Sequence, residues 1–221
     1  MSEPSRPPPP VVGWWIRFRE LPGWTRWAAY VALALVLVLV GLAVTAVVVV
    51  RRPLPQTDGE LEIGGLESPV EVRRDAQGVP HLYGDSVDDL LTAEGFVHAQ
   101  DRFFEMDVRR HITAGRMAEL FGETAVETDV LVRTMGWRRV AEAELPLLEP
   151  ATRDALSAYA EGVNAYLADH DPAQIAVEYT VLGLTGLDYR PAEWTPVDSL
   201  AWLKAMAWDL RGNMTAEIER A

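Results

Sequence analysis

The chain has 221 residues, with 20 Lys+Arg against 33 Asp+Glu and no cysteine. The charge is uneven: residues 1–52 hold six Arg and two Glu, a balance of +4, while residues 53–221 carry a balance of −17. An acidic folded part repels phosphate, which excludes nucleic acid as a partner. Zero Cys excludes disulfides, zinc–thiolate sites, iron–sulfur ligation and a Cys nucleophile.

Residues 1–26 read as a cytoplasmic tail, in which the four prolines at 7–10 form a solvated polyproline stub. Residues 27–50 are 24 consecutive uncharged residues, mostly Ala, Val and Leu. As a helix they span roughly 36 Å, enough for a bilayer core of about 30 Å. Trp24, Trp27 and Tyr30 suit the headgroup layer at one edge. Arg17, Arg19 and Arg26 before the span predict a cytoplasmic N-terminus, with the acidic part outside, in a single-pass cell-membrane protein. The run is too long for the apolar stretch of a cleavable signal peptide.

Residues 51–68, with Pro53, Pro55, Gly59, Gly64 and Gly65, have a linker's composition. The alternation Val70-Glu71-Val72-Arg73 predicts a strand, residues 75–78 a turn and residues 79–83 a returning strand. Ser86 followed by Asp89 reads as a capping-box-like helix start. The helix buries Leu90, Leu91, Ala93, Val97, Phe104 and Val108 and runs to about His111. Residues 115–121 form one further helical segment, stopped by Gly122.

Pro150 opens another helix, with the apolar stripe Ala155, Leu156, Tyr159, Val163, Tyr166 and Leu167. The β-branched content of residues 178–184 predicts a short strand. Thr195, Pro196 and Asp198 supply an N-cap, a first-turn proline and an N3 acid for a helix containing Leu200, Leu203 and Leu210. Three strand fragments cannot cover these helical faces. The helices are therefore either a bundle of their own or half of something larger.

The stretch Val72-Arg73-Arg74-Asp75-Ala76-Gln77-Gly78-Val79-Pro80-His81-Leu82-Tyr83-Gly84 resembles the opening of the penicillin acylase (penicillin amidase) α chain. The likeness continues through Gly95-Phe96-Val97-His98-Ala99-Gln100-Asp101-Arg102-Phe103-Phe104-Glu105-Met106, Arg109-Arg110 and Gly115-Arg116-Met117-Ala118-Glu119-Leu120-Phe121-Gly122. It resumes at Tyr159-Ala160-Glu161-Gly162-Val163-Asn164-Ala165-Tyr166, at Tyr189-Arg190-Pro191-Ala192-Glu193-Trp194-Thr195-Pro196 and near Trp208-Asp209-Leu210-Arg211-Gly212-Asn213. So many blocks in one order over residues 69–221 make a specific match.

The resemblance implies an N-terminal-nucleophile hydrolase, made as a precursor that cuts itself between an α and a β chain. The new N-terminal Ser attacks an amide carbonyl with its own α-amino group as general base, a role an amine with a pKa near 7.7–8.0 can fill. The expected fold class is α+β, helix-dominated: an N-terminal transmembrane helix plus the α-chain part of an αββα sandwich whose sheets come largely from the β chain. Implied partners are that β chain or downstream segment, the lipid bilayer and a small N-acyl amide such as a β-lactam side-chain amide or an acyl-homoserine lactone.

Family nucleophiles follow a Gly or similar small residue. Here Ser2, Ser5, Ser68, Ser86, Ser157 and Ser199 all follow other residues, and no Thr follows Gly. The nucleophile is thus expected outside these 221 residues, which should be inactive alone, the catalytic set here being none. The resemblance further implies that Met206, Leu210 and Arg211 line the acyl pocket, and that Glu217 matches a glutamate binding one structural calcium ion; no organic cofactor is implied. The residues themselves leave another reading open, in which Met206 and Leu210 are core contacts and Glu217 a solvated helical acid. His81, His98, His111 and His170 show no metal-ligand spacing, and His98 reads as a core or interface histidine. Asp101 and Arg102 are expected to stitch helices together, and Arg109, Arg110 and Arg116 to pair with acids. A competing function is a degenerate, non-catalytic, membrane-tethered helical binding module.

Overall fold

The computed structural model describes residues 22–210, 212 and 214–220. The prolines at 7–10 and Arg17, Arg19, Arg211 and Asn213 lie outside them. The described chain divides into two units, residues 1–48 and 49–221. The first is dominated by helix α1, Gly23–Arg51, with a mean hydropathy of 3.2 in its most apolar window. Its Val and Leu side chains, apart from half-buried Val49, are exposed all round. An apolar surface of that kind is what a bilayer would cover, and either a membrane span or a signal sequence is built this way.

The second unit is helix-dominated. Its one sheet among the described residues is a hairpin of β1, Glu71–Arg74, and β2, Pro80–Tyr83, paired Val72↔Leu82 and Arg73↔His81. The turn is held by the Asp75 carboxylate, which accepts from the Gln77 and Val79 N–H groups at 2.9 Å each. Gly78, at φ +82°, makes the left-handed step.

Helix α2, Val87–Ala114, starts at Ser86, whose hydroxyl accepts from the Asp89 N–H, and ends on Gly115 in the left-handed conformation. It kinks at Arg102 (φ −154°) and runs three residues past His111. Ala93 and Val97 are buried as expected, whereas Leu90, Leu91, Phe104 and Val108 are half-buried. The deeper positions go to Ala99, Phe103, Met106 and Asp107. Of the segment 115–121 only Ala118–Phe121, α3, is helical. The Asp129 carboxylate caps it, accepting from the Met117 and Ala118 N–H groups at 2.8 Å.

Two helices follow: α4, Val126–Met135, and α5, Trp137–Glu144, separated by left-handed Gly136. Next is α6, Pro150–Ala168, with proline in its first turn. The expected strand at 178–184 is corrected by the structure. After the short α7, Pro172–Ile175, these residues form helix α8, Val177–Leu184. Helical spacing turns Tyr179 and Leu182 together onto the core, which outweighs the strand preference of Val, Tyr and Thr. Helix α9, Pro196–Asp209, opens with the capping box of Thr195 and Asp198, and α10 is Met214–Arg220.

The main core forms where α2 crosses α6 and gathers Phe103, Met106, Val163, Tyr166, Ile175, Tyr179 and Trp194. Its closeness has a local cause. A Cβ on Gly95 would lie 2.1 Å from the Tyr159 carbonyl oxygen, and one on Gly162 1.8 Å from that of Thr92. Only glycine at both positions lets the two backbones touch. A second cluster, Ala141, Leu200 and Ala201, joins α5 to α9.

Candidate functional site

Helix α9 carries Met206 and runs directly into Leu210, two of the residues expected to line a pocket, so its position is the first question. Its inner face, Leu200, Ala201 and Ala205, is buried. Arg138 donates to Asp198 at 2.7 Å, Lys204 pairs with Glu144, and Trp137 meets Trp208 at 6.0 Å, fixing α9 on α5. The Arg109 guanidinium, paired with Glu105, lies 4.3 Å from the centre of the Trp202 ring and ties α9 to α2. The opposite face presents Leu203 and Met206, continued by the C-cap Leu210, at i, i+3 and i+7, with exposures of 55%, 42% and 76%. Met206 and Leu210 therefore share an open apolar stripe and are not core contacts of this unit. Arg211 lies outside the described residues. Glu217 is exposed on α10 and belongs to neither core cluster.

No group of three or more metal-ligating side chains occurs among the described residues. Calcium requires 6–8 oxygens, so Glu217 and its described surroundings do not by themselves make such a site.

The start of α9 is set from behind by a buried polar centre. Asp107, fully buried on α2, accepts through Oδ1 from Arg110 (Nε at 3.0 Å, and Nη2) and through Oδ2 from the Tyr179 and Tyr189 hydroxyls at 2.8 and 2.7 Å. His111 Nδ1 lies 2.7 Å from the Asp107 carbonyl oxygen and 3.4 Å from its carboxylate, so the backbone is its main partner. Arg110 reaches on to the carbonyls of Ala192 and Glu193 at 2.9 and 3.0 Å. Asn164 grips Trp194 in a two-way pair, Nδ2 donating to its carbonyl at 2.9 Å and Oδ1 accepting from its N–H at 2.7 Å. The chain entering α9 is thus held by α2 and α6 together.

Asp107 and the two tyrosines keep their protonation states near neutral pH. Burial pushes the Asp107 carboxyl up, but His111, the Arg110 charge and Tyr189 outweigh it and hold it down to about 2. Burial, aided by the Asp107 charge, pushes the Tyr179 and Tyr189 hydroxyls well above their ordinary range. The paired carboxylate and the two protonated phenols act as fixed hydrogen-bond partners. Asp107 and Asn164 were not legible as anchors from sequence. The available signal was an acid at a helical position flanked by apolar Phe103 and Met106 and followed at helical spacing by Arg110 and His111.

The remaining expected residues fall into place as structural ones. His98 Nδ1 meets the Tyr159 hydroxyl at 3.0 Å across the α2–α6 contact. Arg116 pairs with Glu119. Asp101 holds the hairpin, not another helix, through two 2.8 Å bonds from Arg74, and Arg102 marks the kink. A groove of about 1150 Å³ runs between residues 56–63, the hairpin and the first half of α2. Its floor is Leu90, Ala93, Phe96 and Val97, and neither Met206 nor Leu210 lines it.

Comparison with known proteins gives this arrangement its context. Over 156 residues the chain is 40% identical to penicillin acylase 2 proenzyme from Pseudomonas sp. (strain SE83), covering 71% of this chain and 19% of that protein. It is 35% identical over 165 residues to acyl-homoserine lactone acylase QuiP from Pseudomonas aeruginosa, covering 75% and 19%. Among solved structures, a chain of a thermostable penicillin G acylase from Alcaligenes faecalis matches with a TM-score of 0.56 and 32% identity, over 64% of this chain and 74% of that one. The chain spans about a fifth of the length of the curated relatives it matches. The penicillin amidase family profile matches residues 69–221, the stretch that holds the hairpin, the α2–α6 crossing and the anchored α9. With more than half of its length in that match, the chain belongs to the penicillin amidase family.

Proposed function

We propose that this chain is the α-chain portion of a membrane-anchored, acylase-like amidohydrolase. The complete precursor cleaves linear N-acyl amide bonds after self-processing into α and β chains of an αββα sandwich. The observation that carries this reading is the family match over residues 69–221, with relatives named as a penicillin acylase proenzyme and as acyl-homoserine lactone acylases. The nucleophile is supplied by another segment of the precursor, since no Ser or Thr here follows a glycine. This chain contributes walls. Met206 and Leu210, on the open stripe of α9, and Arg211 beyond it face the acyl group, and burying them there gives the stripe its partner.

Helix α1 is the anchor, with the N-terminus cytoplasmic because Arg17, Arg19 and Arg26 precede the span. Glu217 supplies one oxygen to a structural calcium completed by the rest of the precursor.

The test is turnover of chromogenic phenylacetyl and longer N-acyl anilides by the purified 221-residue chain and by a precursor that contains it. The chain alone is expected to give no rate above the uncatalysed one, and the processed precursor to be active. Turnover by the chain alone would place the nucleophile within it. A precursor that neither processes nor hydrolyses would favour the non-catalytic binding module. The calcium role fails if Glu217→Gln leaves the precursor's calcium affinity unchanged.

A further inference from the structure

Met206 and Leu210 form a wall whose position depends on what stands behind α9. At about 3.6 residues per turn, Leu210 falls roughly 180° round the helix from Ala201, and Met206 roughly 140°. The open stripe and the buried face are therefore opposite sides of one rod. The buried side meets α5 through small groups. Ala141 and Ala201, each at 0% exposure, pack with Leu200, and Ala205 follows one turn on at 8%. The axes of packed helices stand about 8–10 Å apart, depending on the side chains at the contact. Alanine on both sides draws the pair towards the near end, and a larger residue at 141 would open it by on the order of 1 Å.

The surroundings decide which helix gives way. Leu145 and Leu148, just past the end of α5, pack with Leu156 of α6 into the same cluster and back α5 against the body. The start of α9 is pinned. Asp198, 2% exposed, accepts from Arg138 at 2.7 Å and from the Thr195 N–H and hydroxyl at 2.8 and 2.7 Å. Arg109, over the Trp202 ring, opposes sideways travel. The last turn is different, because residues 206–210 are all exposed. Its tie to α5 is the tilted Trp137–Trp208 contact at 6.0 Å, a broad ring contact that tolerates small shifts. A push at Ala201 thus swings α9 about its capped start and grows towards Met206 and Leu210.

We propose that Ala141 is a specificity-determining position that acts through α9: the size of its side chain sets the depth of the acyl pocket, and alanine admits longer acyl groups than a larger residue would. The inference rests on the acyl-pocket reading above. Ala141 itself touches no substrate and is a positioning residue.

The test uses the processed precursor and straight-chain acyl anilides from butyryl to decanoyl. Ala141→Val should lower kcat/KM for the longest acyl group relative to the shortest by about tenfold or more, the discrimination that one excluded methylene gives. The change should sit in KM for the long anilides, with kcat for butyryl unmoved. Ala141→Gly draws α9 back and should shift the preference the other way; it decides the matter if the valine precursor does not process. Ala141→Val with Ala201→Gly removes a methyl facing the added ones and should restore the original profile. Damage to packing alone would not be repaired by a glycine placed inside a helix. A profile unmoved by Ala141→Val, or left altered in the double variant, overturns the proposal. Met206→Ala with Leu210→Ala identifies failure of the underlying reading. If trimming the wall itself leaves the preference unchanged, or the precursor hydrolyses none of the anilides, the proposal falls with that reading. If trimming favours longer acyl groups while Ala141→Val changes nothing, the proposal alone is lost.

Discussion

Asp107 shows how one side chain can organise a loop nearly eighty residues past the end of its own helix. It has no exposed surface, and its acceptor sites are taken by Arg110, Tyr179 and Tyr189. Arg110 in turn fixes the carbonyls of Ala192 and Glu193. A buried pair of this kind adds little net stability over an apolar isostere, but removing one partner strands the other. Asp107→Asn should therefore cost about 3–5 kcal/mol, read as a fall in melting temperature of the whole chain in detergent. The acid limb follows from the same residue. Its folded pKa of about 2 is below the ordinary 3.8, so its stabilisation is complete above pH 4 and drains away as pH falls from about 4 to about 2. The amount at stake is on the order of 2 kcal/mol. The Asn variant should lack this limb; if it loses stability over that window as the unmodified chain does, other carboxylates are responsible.

At the scale of elements, what the sequence made legible was whatever is written locally. Ser86, Pro150 and the Thr195–Pro196–Asp198 run each opened a helix where local capping chemistry predicted one. What it hid was whatever depends on a distant partner. Residues 178–184 have strand-like composition, and only the core face shared with Phe104 and Asp107 makes them helical. Helices α4 and α5 gave no reading at all, because their buried positions are few and one of them, Asp129, is polar.

The α2–α6 crossing was equally hidden, since a glycine inside a helical pattern reads as a weakness until the partner backbone is seen against it. Gly162→Ala would place a Cβ 1.8 Å from a backbone carbonyl oxygen, with no side chain free to yield. The helices would have to separate along Phe103, Val163 and Tyr166. A cost of about 3 kcal/mol or more is expected, against gains of under 1 kcal/mol for Gly→Ala in an open helix. Gly183, whose Cβ would meet nothing within 4 Å, is the control. Equal melting temperatures for Gly162→Ala and Gly183→Ala would show that the crossing is looser than described.

For the whole molecule, the question is which of two surface forces prevails. Residues 53–221 carry a balance of −17, which keeps copies apart. They also expose Leu203, Met206 and Leu210 on α9, Val126 and Val130 on α4, and Val181 and Leu184 on α8. The charge acts over a distance that salt shortens, about 8 Å at 0.15 M and about 3 Å at 1 M, whereas apolar contact is barely screened. Without α1, residues 53–221 should therefore be monomeric and bind a hydrophobic dye at low salt, then associate as salt rises. Sedimentation across that range checks it. If the stripe of α9 drives the effect, Met206→Glu with Leu210→Glu should abolish both association and dye binding while leaving the α2–α6 core intact. A monomer at every salt concentration, melting cooperatively and binding no dye, would mean that these side chains close over one another in solution, and the open stripe would no longer argue for a partner built to cover it.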